Sequence, residues 1–292
     1  MDSTDMEKIG YVATIGMFDG VHRGHQFVLR QVVETARERG LQSMAITFDH
    51  SLHRDQVLTP LDEKKSLICA VGIDRIEVLS FTDQLRQMTA YEFMRQVLSE
   101  QLGVKVLLTG YDNRFGRNRE KGFDDYVTYG HELGIEVLQL PAEGNVSSSL
   151  VRQLLADGCV AEAAEALGHP YQMTGSVTHG EHIGTRLGYP TANLVPVEAH
   201  QLIPAPGVYA VSVELGGSVY GGMMNIGHRP TFDGSHTTLE VHILHWSDDL
   251  YGRNVTIHFV ERLRSEQRFE SEEALKQQLM HDAAQVEELL NH

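Results

Sequence analysis

The sequence predicts an α/β domain built on a parallel sheet, followed by a small antiparallel β-barrel that ends in a helix. Three observations lead there. From about Ile9 to Leu167, short apolar runs alternate with amphipathic stretches. After Gly168 the runs are strand-like and joined by Gly-, Pro- and Asp-rich turns, with little helix. At 292 residues the chain exceeds the usual span of one hydrophobic core. The boundary is placed near Gly168–Pro170, giving domains 1–168 and 169–292.

In the first half the strand-length runs are Ile9–Gly16, Leu41–Phe48, Arg75–Phe81, Val104–Tyr111 and Ile135–Pro141. Between them, Gly24–Arg39, Asp62–Val71, Thr89–Leu102 and Phe123–Leu133 carry apolar residues at three- and four-residue spacing, which predicts helices. Gly40, Gly72, Gly103 and Gly134 stand where helix stops are needed. Helices between strands imply crossover connections and a parallel sheet covered on both faces. Ligands of such sheets bind at the carboxyl ends of strands, which directs attention to the loops after Gly16, Phe48 and Tyr111.

In the second half Tyr171–His179, Gly207–Leu215, Ser218–Asn225, Leu239–Trp246 and Val255–Leu263 read as strands of a small barrel. One amphipathic helix, roughly Ser271 to Asn291, closes the chain, with Ser271 as its N-cap.

Composition narrows the function classes. With 41% apolar residues there is ample material for packed cores. No apolar run reaches the roughly 18 residues of a membrane span, and the polar Met1–Lys8 lacks a signal-peptide character. Cys69 and Cys159 have no metal-like spacing and fit a reducing, cytoplasmic setting. A net charge of −16 disfavours nucleic acid and anionic membrane as partners. Nucleotide substrates stay open, because small phosphate pockets use backbone N–H groups, a few arginines and a metal ion.

Gly16-Met17-Phe18-Asp19-Gly20-Val21-His22-Arg23-Gly24-His25 follows the first strand and opens the first helix. Its glycines allow a tight turn and close backbone approach to a ligand, and the helix start suits phosphate. His22 and His25, three apart, can address one phosphate group as charge grows on it. The plain alternative is a Gly-rich turn with two solvated histidines; position at a strand-to-helix turn favours function. The stretch resembles the signature of the bacterial bifunctional riboflavin kinase/FAD synthetase family, within the H-x-G-H nucleotidyltransferases. The resemblance implies a Rossmann-like domain in which Gly16, Phe18, Asp19 and Gly24 line the nucleotide site. Gly110-Tyr111-Asp112-Asn113-Arg114-Phe115-Gly116 matches a family segment near nucleotide and flavin, which implies Asp112. Val146-Ser147-Ser148-Ser149-Leu150-Val151-Arg152 is similar to the family's I-S-S-T-x-I-R, with Ser148, Ser149 and Arg152 on phosphate oxygens. One departure stands out: Phe48-Asp49-His50-Ser51-Leu52-His53 lacks both prolines of the family's F-x-P-H-P, so no flavin contact is assigned from that loop.

The segment Gly175–Asn193 resembles the riboflavin kinase pattern G-x-V-x-x-G-x-x-x-G-R-x-L-G-x-P-T-A-N. Gly180, Gly184 and Gly188 suit backbone wrapped over phosphates, and the pattern implies Arg186 beside them. Thr191 and Asn193, two apart on an extended chain, offer hard oxygen ligands on one face for Mg2+. Asn225–Phe232 is similar to N-I-G-x-R-P-T-F, with Arg229 either orienting a loop or touching ligand. Along Leu239–His245, Glu240 and His242 share a face away from Leu239, Val241 and Ile243. The resemblance makes Glu240 the base for the riboflavin 5′-hydroxyl. Asp249–Gly252 and Arg262–Phe269 match D-L-Y-G and R-L-R-x-E-x-x-F; Phe269 either packs on the isoalloxazine edge or staples the helix.

The resemblance runs from about Thr14 to the terminal helix and implies an enzyme with ATP as co-substrate and riboflavin, FMN and FAD as substrates and products. The expected partners are these small molecules, with no nucleic acid and no membrane, in a monomer or weak homo-oligomer. Two rivals are an enzyme with one working activity, most plausibly the kinase, and a flavin- or nucleotide-sensing module. Glu240 argues against the second, since binding alone does not need a base.

Overall fold

The computed structural model describes residues 10–49, 56–111, 113–141, 144–178, 188–231 and 234–290, with backbone alone at 228–231 and 234–236. The chain forms two compact units, Met1–Ser147 and Ser148–His292.

In the first unit β1 (Tyr11–Ile15), β2 (Gln42–Phe48), β3 (Arg75–Leu79), β4 (Val104–Thr109) and β5 (Glu136–Gln139) make a parallel sheet of order β3-β2-β1-β4-β5. The helices are α1 (Arg23–Arg39), α2 (Leu61–Val71), the short α3 (Asp83–Gln87), α4 (Ala90–Glu92, continuing as a π-helix over Phe93–Gln101) and α5 (Phe123–Leu133). Alternation along the strands sends Val12, Ala45, Val106 and Leu108 to one face, where they pack with Leu29, Val32 and Ala36 of α1 and Ile68 of α2. Ala13, Ile15, Met44, Ile46 and Leu107 pack on the other face with Met94, Leu98 and Tyr126. Gly40 and Gly134 end α1 and α5 in the left-handed region, at φ 65° and 69°, as their placement predicts. The strand order reverses between β1 and β4, so a crevice opens at the carboxyl ends of those two strands.

The second unit begins with α6 (Ser148–Asp157) and α7 (Val160–Leu167). A closed barrel follows, made of β6 (Gln172–Thr178), β7 (Ala192–Pro196), β8 (Gly207–Leu215), β9 (Ser218–Thr231), β10 (Gly234–Ile243) and β11 (Asn254–Arg264), in the order β10-β7-β6-β11-β8-β9. The periodicity predicts every strand except β7, which is short and carries the exposed Val195. Arg262 ties the start of this unit to the barrel, donating from Nη2 to the Pro206 carbonyl at 2.7 Å and from Nη1 to that of Asp157 at 3.4 Å. At Gly158 (φ 80°) a Cβ would lie 2.9 Å from Arg262 Cδ, so the turn between α6 and α7 needs glycine twice over.

The terminal helix α8 (Glu272–Leu290) starts where predicted, with Ser271 Oγ accepting from the Ala274 N–H at 3.1 Å. Its Val286 is buried with Ala210, Met223 and Leu244 of the barrel. Asp282, 0% exposed, receives Nε and Nη2 of Arg264, the latter at 2.9 Å, and Nε2 of Gln278 at 2.8 Å. Removing one partner of a buried pair strands the other's charge, so Asp282→Ala is expected to cost about 3–5 kcal/mol of stability. Urea unfolding of the whole chain reads this out; a loss under about 1 kcal/mol, as for a surface pair, would show that the pair does not hold the helix.

Candidate active sites

At the end of β1 the Gly-rich turn is strained and tightly held. Phe18 and Val21 adopt φ 50° and 39°, unusual for residues with side chains, and Gly20 sits at 85°. The Phe18 ring lies over Gly16, where a Cβ would approach it to 3.1 Å, and is 3% exposed. Asp19 is also buried; its Oδ1 accepts from the N–H groups of Leu58 at 3.0 Å and Thr59 at 3.2 Å. These two side chains therefore shape the turn from within. Gly24 leaves room for the His22 ring, which a Cβ would meet at 3.3 Å.

His22 is the N-cap of α1, its Nδ1 accepting from the His25 N–H at 3.3 Å. That bond assigns the ring's own proton to Nε2, which becomes a donor. The two imidazoles stack with centroids 3.6 Å apart, and Phe18 meets His25 edge-on at 5.3 Å. Burial lowers the His22 pKa to about 4 against a smaller opposing pull from Asp19. His25 is driven well below the usual imidazole range by burial first, then by His22 and Lys64. Both rings are thus neutral at pH 7, which lets them stack and leaves N–H groups for an anion. The buried Nδ1 of His25 finds no hydrogen-bond partner among the described residues. An unsatisfied buried nitrogen beside a helix N-terminus is what a phosphate oxygen would complete.

Across the switch point, Asn113 donates its carboxamide N–H to the Ile15 carbonyl and so ties the loop after β4 to the end of β1. Tyr126, fully buried under that loop, accepts from Phe115 N–H at 3.0 Å and donates to the Lys121 carbonyl at 3.0 Å. Asn113 lies inside a motif the sequence marks, but its role as a brace between strands is visible only in the tertiary structure. Ser148 and Ser149 open α6 and Arg152 follows one turn on. Asp112, Gly180, Gly184, Arg186 and the loop over 50–53 lie outside the described residues.

In the barrel, strand register assembles the second site. Glu240 on β10 stands opposite Asn193 on β7 and opposite Asn225 on β9. Directly paired residues share a face, with Cβ atoms about 4.5–5.5 Å apart, so one carboxylate and two carboxamides form a row. Leu239, Val241 and Ile243 take the other face and are buried, as alternation predicts. Asn225 is the member of this row that sequence reading does not single out; its signal lay in a motif, without a role. His242 donates from Nδ1 to the Pro190 carbonyl at 2.7 Å and meets Tyr189 edge-on, while burial keeps its ring neutral. It anchors the segment that leads into Thr191. Thr191 lines a cavity of about 320 Å³ with Val177, Pro190, Trp246, Leu250 and Tyr251.

A metal bound by protein alone has no candidate here: among the described residues no three His, Cys, Asp or Glu side chains gather to hold one. The Thr191 hydroxyl and the Asn193 carboxamide suit Mg2+ instead, which takes few protein oxygens and completes its shell with water and substrate phosphate.

Two family models divide the chain between them: FAD synthetase matches residues 4–150 and riboflavin kinase matches 167–290. The bifunctional riboflavin kinase/FMN adenylyltransferase of Escherichia coli K12 is 41% identical over 285 residues, covering 94% of this chain and 90% of that protein. This chain belongs to that family. Its members from Pseudomonas fluorescens and Bacillus subtilis are 40% and 32% identical, covering 95% and 94% of this chain and 92% and 91% of theirs. A Streptococcus pneumoniae crystal structure, titled a macrolide-efflux protein, superposes with TM-score 0.88 at 31% identity, covering 97% of this chain and 96% of that one. No helix among the described residues is long and apolar enough to cross a membrane. The family membership places the H-x-G-H turn in the FAD synthetase half and the Asn193–Glu240–Asn225 row in the riboflavin kinase half.

Proposed function

We propose that the protein makes FMN from riboflavin and ATP in its barrel and converts FMN to FAD with a second ATP in its N-terminal half. The observation that carries this reading is the presence on one chain of two distinct donor sets, a neutral histidine pair at a helix N-terminus and a carboxylate set in register with a carboxamide. The functional domains are taken as 1–168 and 169–292.

In the kinase step the riboflavin 5′-hydroxyl oxygen bonds to the γ-phosphorus, the β–γ bridging bond breaks, and ADP leaves. Glu240 accepts the hydroxyl proton as the oxygen attacks. Thr191 and Asn193 would hold Mg2+, which when bound neutralises charge on the transferring phosphate. Gly180, Gly184 and Arg186 are assigned to the same phosphates.

In the adenylyl step an FMN phosphate oxygen bonds to the α-phosphorus, the α–β bridging bond breaks, and pyrophosphate leaves. No general base is required, because the FMN phosphate is already an anion. His22, through Nε2–H, and His25 donate to the α-phosphate oxygens as charge builds there, and the N-terminus of α1 adds its dipole. The assigned nucleotide-site residues are Gly16, Phe18, Asp19, Gly24 and Asp112, with Phe18 and Asp19 acting through the shape of the turn. To Ser148, Ser149 and Arg152 we assign ATP phosphate oxygens. A cytoplasmic setting is supported by the two unpaired cysteines.

The test is a chromatographic time course with riboflavin, ATP and Mg2+, repeated from FMN. FMN rising and then giving way to FAD is expected. FMN accumulating without FAD from either flavin would leave the kinase alone, and no turnover would sink the enzyme reading.

A further inference from the structure

The α2 helix presents two faces, and its core face carries a residue that hydrophobicity alone does not explain. Ile68 is buried there, and four residues earlier so is Lys64, at 1% exposure. The neighbouring Lys65 behaves ordinarily, half-buried and paired with the exposed Asp62 at 3.0 Å. Burying an ammonium group costs several kcal/mol unless it is well satisfied, so an apolar side chain at 64 would suit the packing better. Something other than packing accounts for the lysine.

Its hydrogen bonds show what. Nζ donates to the Met17 carbonyl at 3.1 Å and to the Phe48 carbonyl at 3.1 Å. Met17 lies just past β1 in the Gly-rich turn, and Phe48 is the last residue of β2. The Met17 carbonyl also receives Thr47 Oγ1 at 3.2 Å. Two donors on one carbonyl fix the peptide that enters Phe18, where the strained run toward His22 begins. The charged groups that act on Lys64 are Asp19 from the turn and Asp49 after β2, and Lys64 in turn acts on His25 of α1.

We propose that Lys64 is a positioning residue for adenylyl transfer: its buried ammonium clamps the turn that presents His22 and His25 and holds a positive charge beneath it. Burial and then His22 disfavour an imidazolium at His25, and the Lys64 charge adds to them, so the ring meets the nucleotide as a neutral donor. Burial also brings the lysine's pKa down to about 8, with Asp19 and Asp49 opposing in part. The clamp therefore loses its charge as pH rises through that value.

This inference rests on the N-terminal half making FAD. Lys64→Met removes the charge and both hydrogen bonds at similar volume. It is expected to lower kcat for FAD formation about 10- to 100-fold, the cost of misplaced catalytic groups, with KM for ATP changed less than about threefold. FMN formation on the same chain should not change. In wild type, FAD formation should decline as pH rises through about 8. Lys64→Arg, whose guanidinium keeps its charge, should lift that decline by more than one pH unit. The Arg variant's pH profile keeps the test alive if the Met variant does not fold. A wild-type kcat in Lys64→Met, a change confined to KM, or an unmoved alkaline limb in Lys64→Arg would overturn the role. If wild type itself makes no FAD, the reading of the N-terminal half fails instead.

Discussion

Replacing His25 with alanine is expected to lower FAD formation roughly 10²–10³-fold, the usual cost of losing one donor to a charge-bearing transition state, while FMN formation stays at the wild-type rate. The substitution is well placed to separate chemistry from folding. The α1 cap is made by the His25 backbone N–H and the His22 ring, and both survive in alanine. What disappears is one imidazole of a pair stacked at 3.6 Å, including a buried nitrogen unpartnered among the described residues. The loss is therefore expected in kcat more than in ATP affinity, since the donor matters most when charge has moved onto the α-phosphate. Single-chain assays starting from riboflavin provide the internal control. Unchanged FAD formation would remove His25 from the mechanism, and loss of both activities in a folded protein would sink the two-site reading.

Glu240→Gln is expected to do the reverse, lowering FMN formation about 10²–10⁴-fold while added FMN still becomes FAD. Glutamine matches glutamate in shape, and the ladders to β7 and β9 are backbone bonds, so the row with Asn193 and Asn225 should persist. The carboxamide cannot take the 5′-hydroxyl proton as the oxygen attacks. Riboflavin binding, followed by flavin fluorescence, should be nearly unchanged. If the variant phosphorylated riboflavin normally, proton removal would belong elsewhere, and water in the cleft would be the next suspect.

Much of this organisation is legible in the chain because it depends on neighbours in sequence. Helix ends at Gly40 and Gly134 follow from the left-handed backbone that glycine alone adopts without strain. Glu240 faces away from Leu239 and Val241 because a strand alternates. The cap at Ser271 is likewise a matter of three residues. The residues that were hidden have partners far away in the chain. Asn113 reaches back to Ile15, Lys64 reaches Met17 and Phe48, and Arg264 finds Asp282. β7 was hidden for a related reason: five residues with an exposed valine carry little pattern until β6 and β10 pair with them.

By itself the sequence determined that a parallel α/β half precedes a β-barrel, and it marked His22, His25, Thr191, Asn193 and Glu240 as the groups with chemistry to do. Only the tertiary structure decided the state and company of those groups. Burial makes a proton unwelcome on both histidines, and at His25 the His22 ring stacked 3.6 Å away adds to it. Glu240 meets Asn193, 47 residues earlier in the chain, because β7 and β10 pair in one register, where a one-residue slip would turn each side chain to the opposite face. Protonation and register both depend on what folding brings near, and no local pattern carries that information.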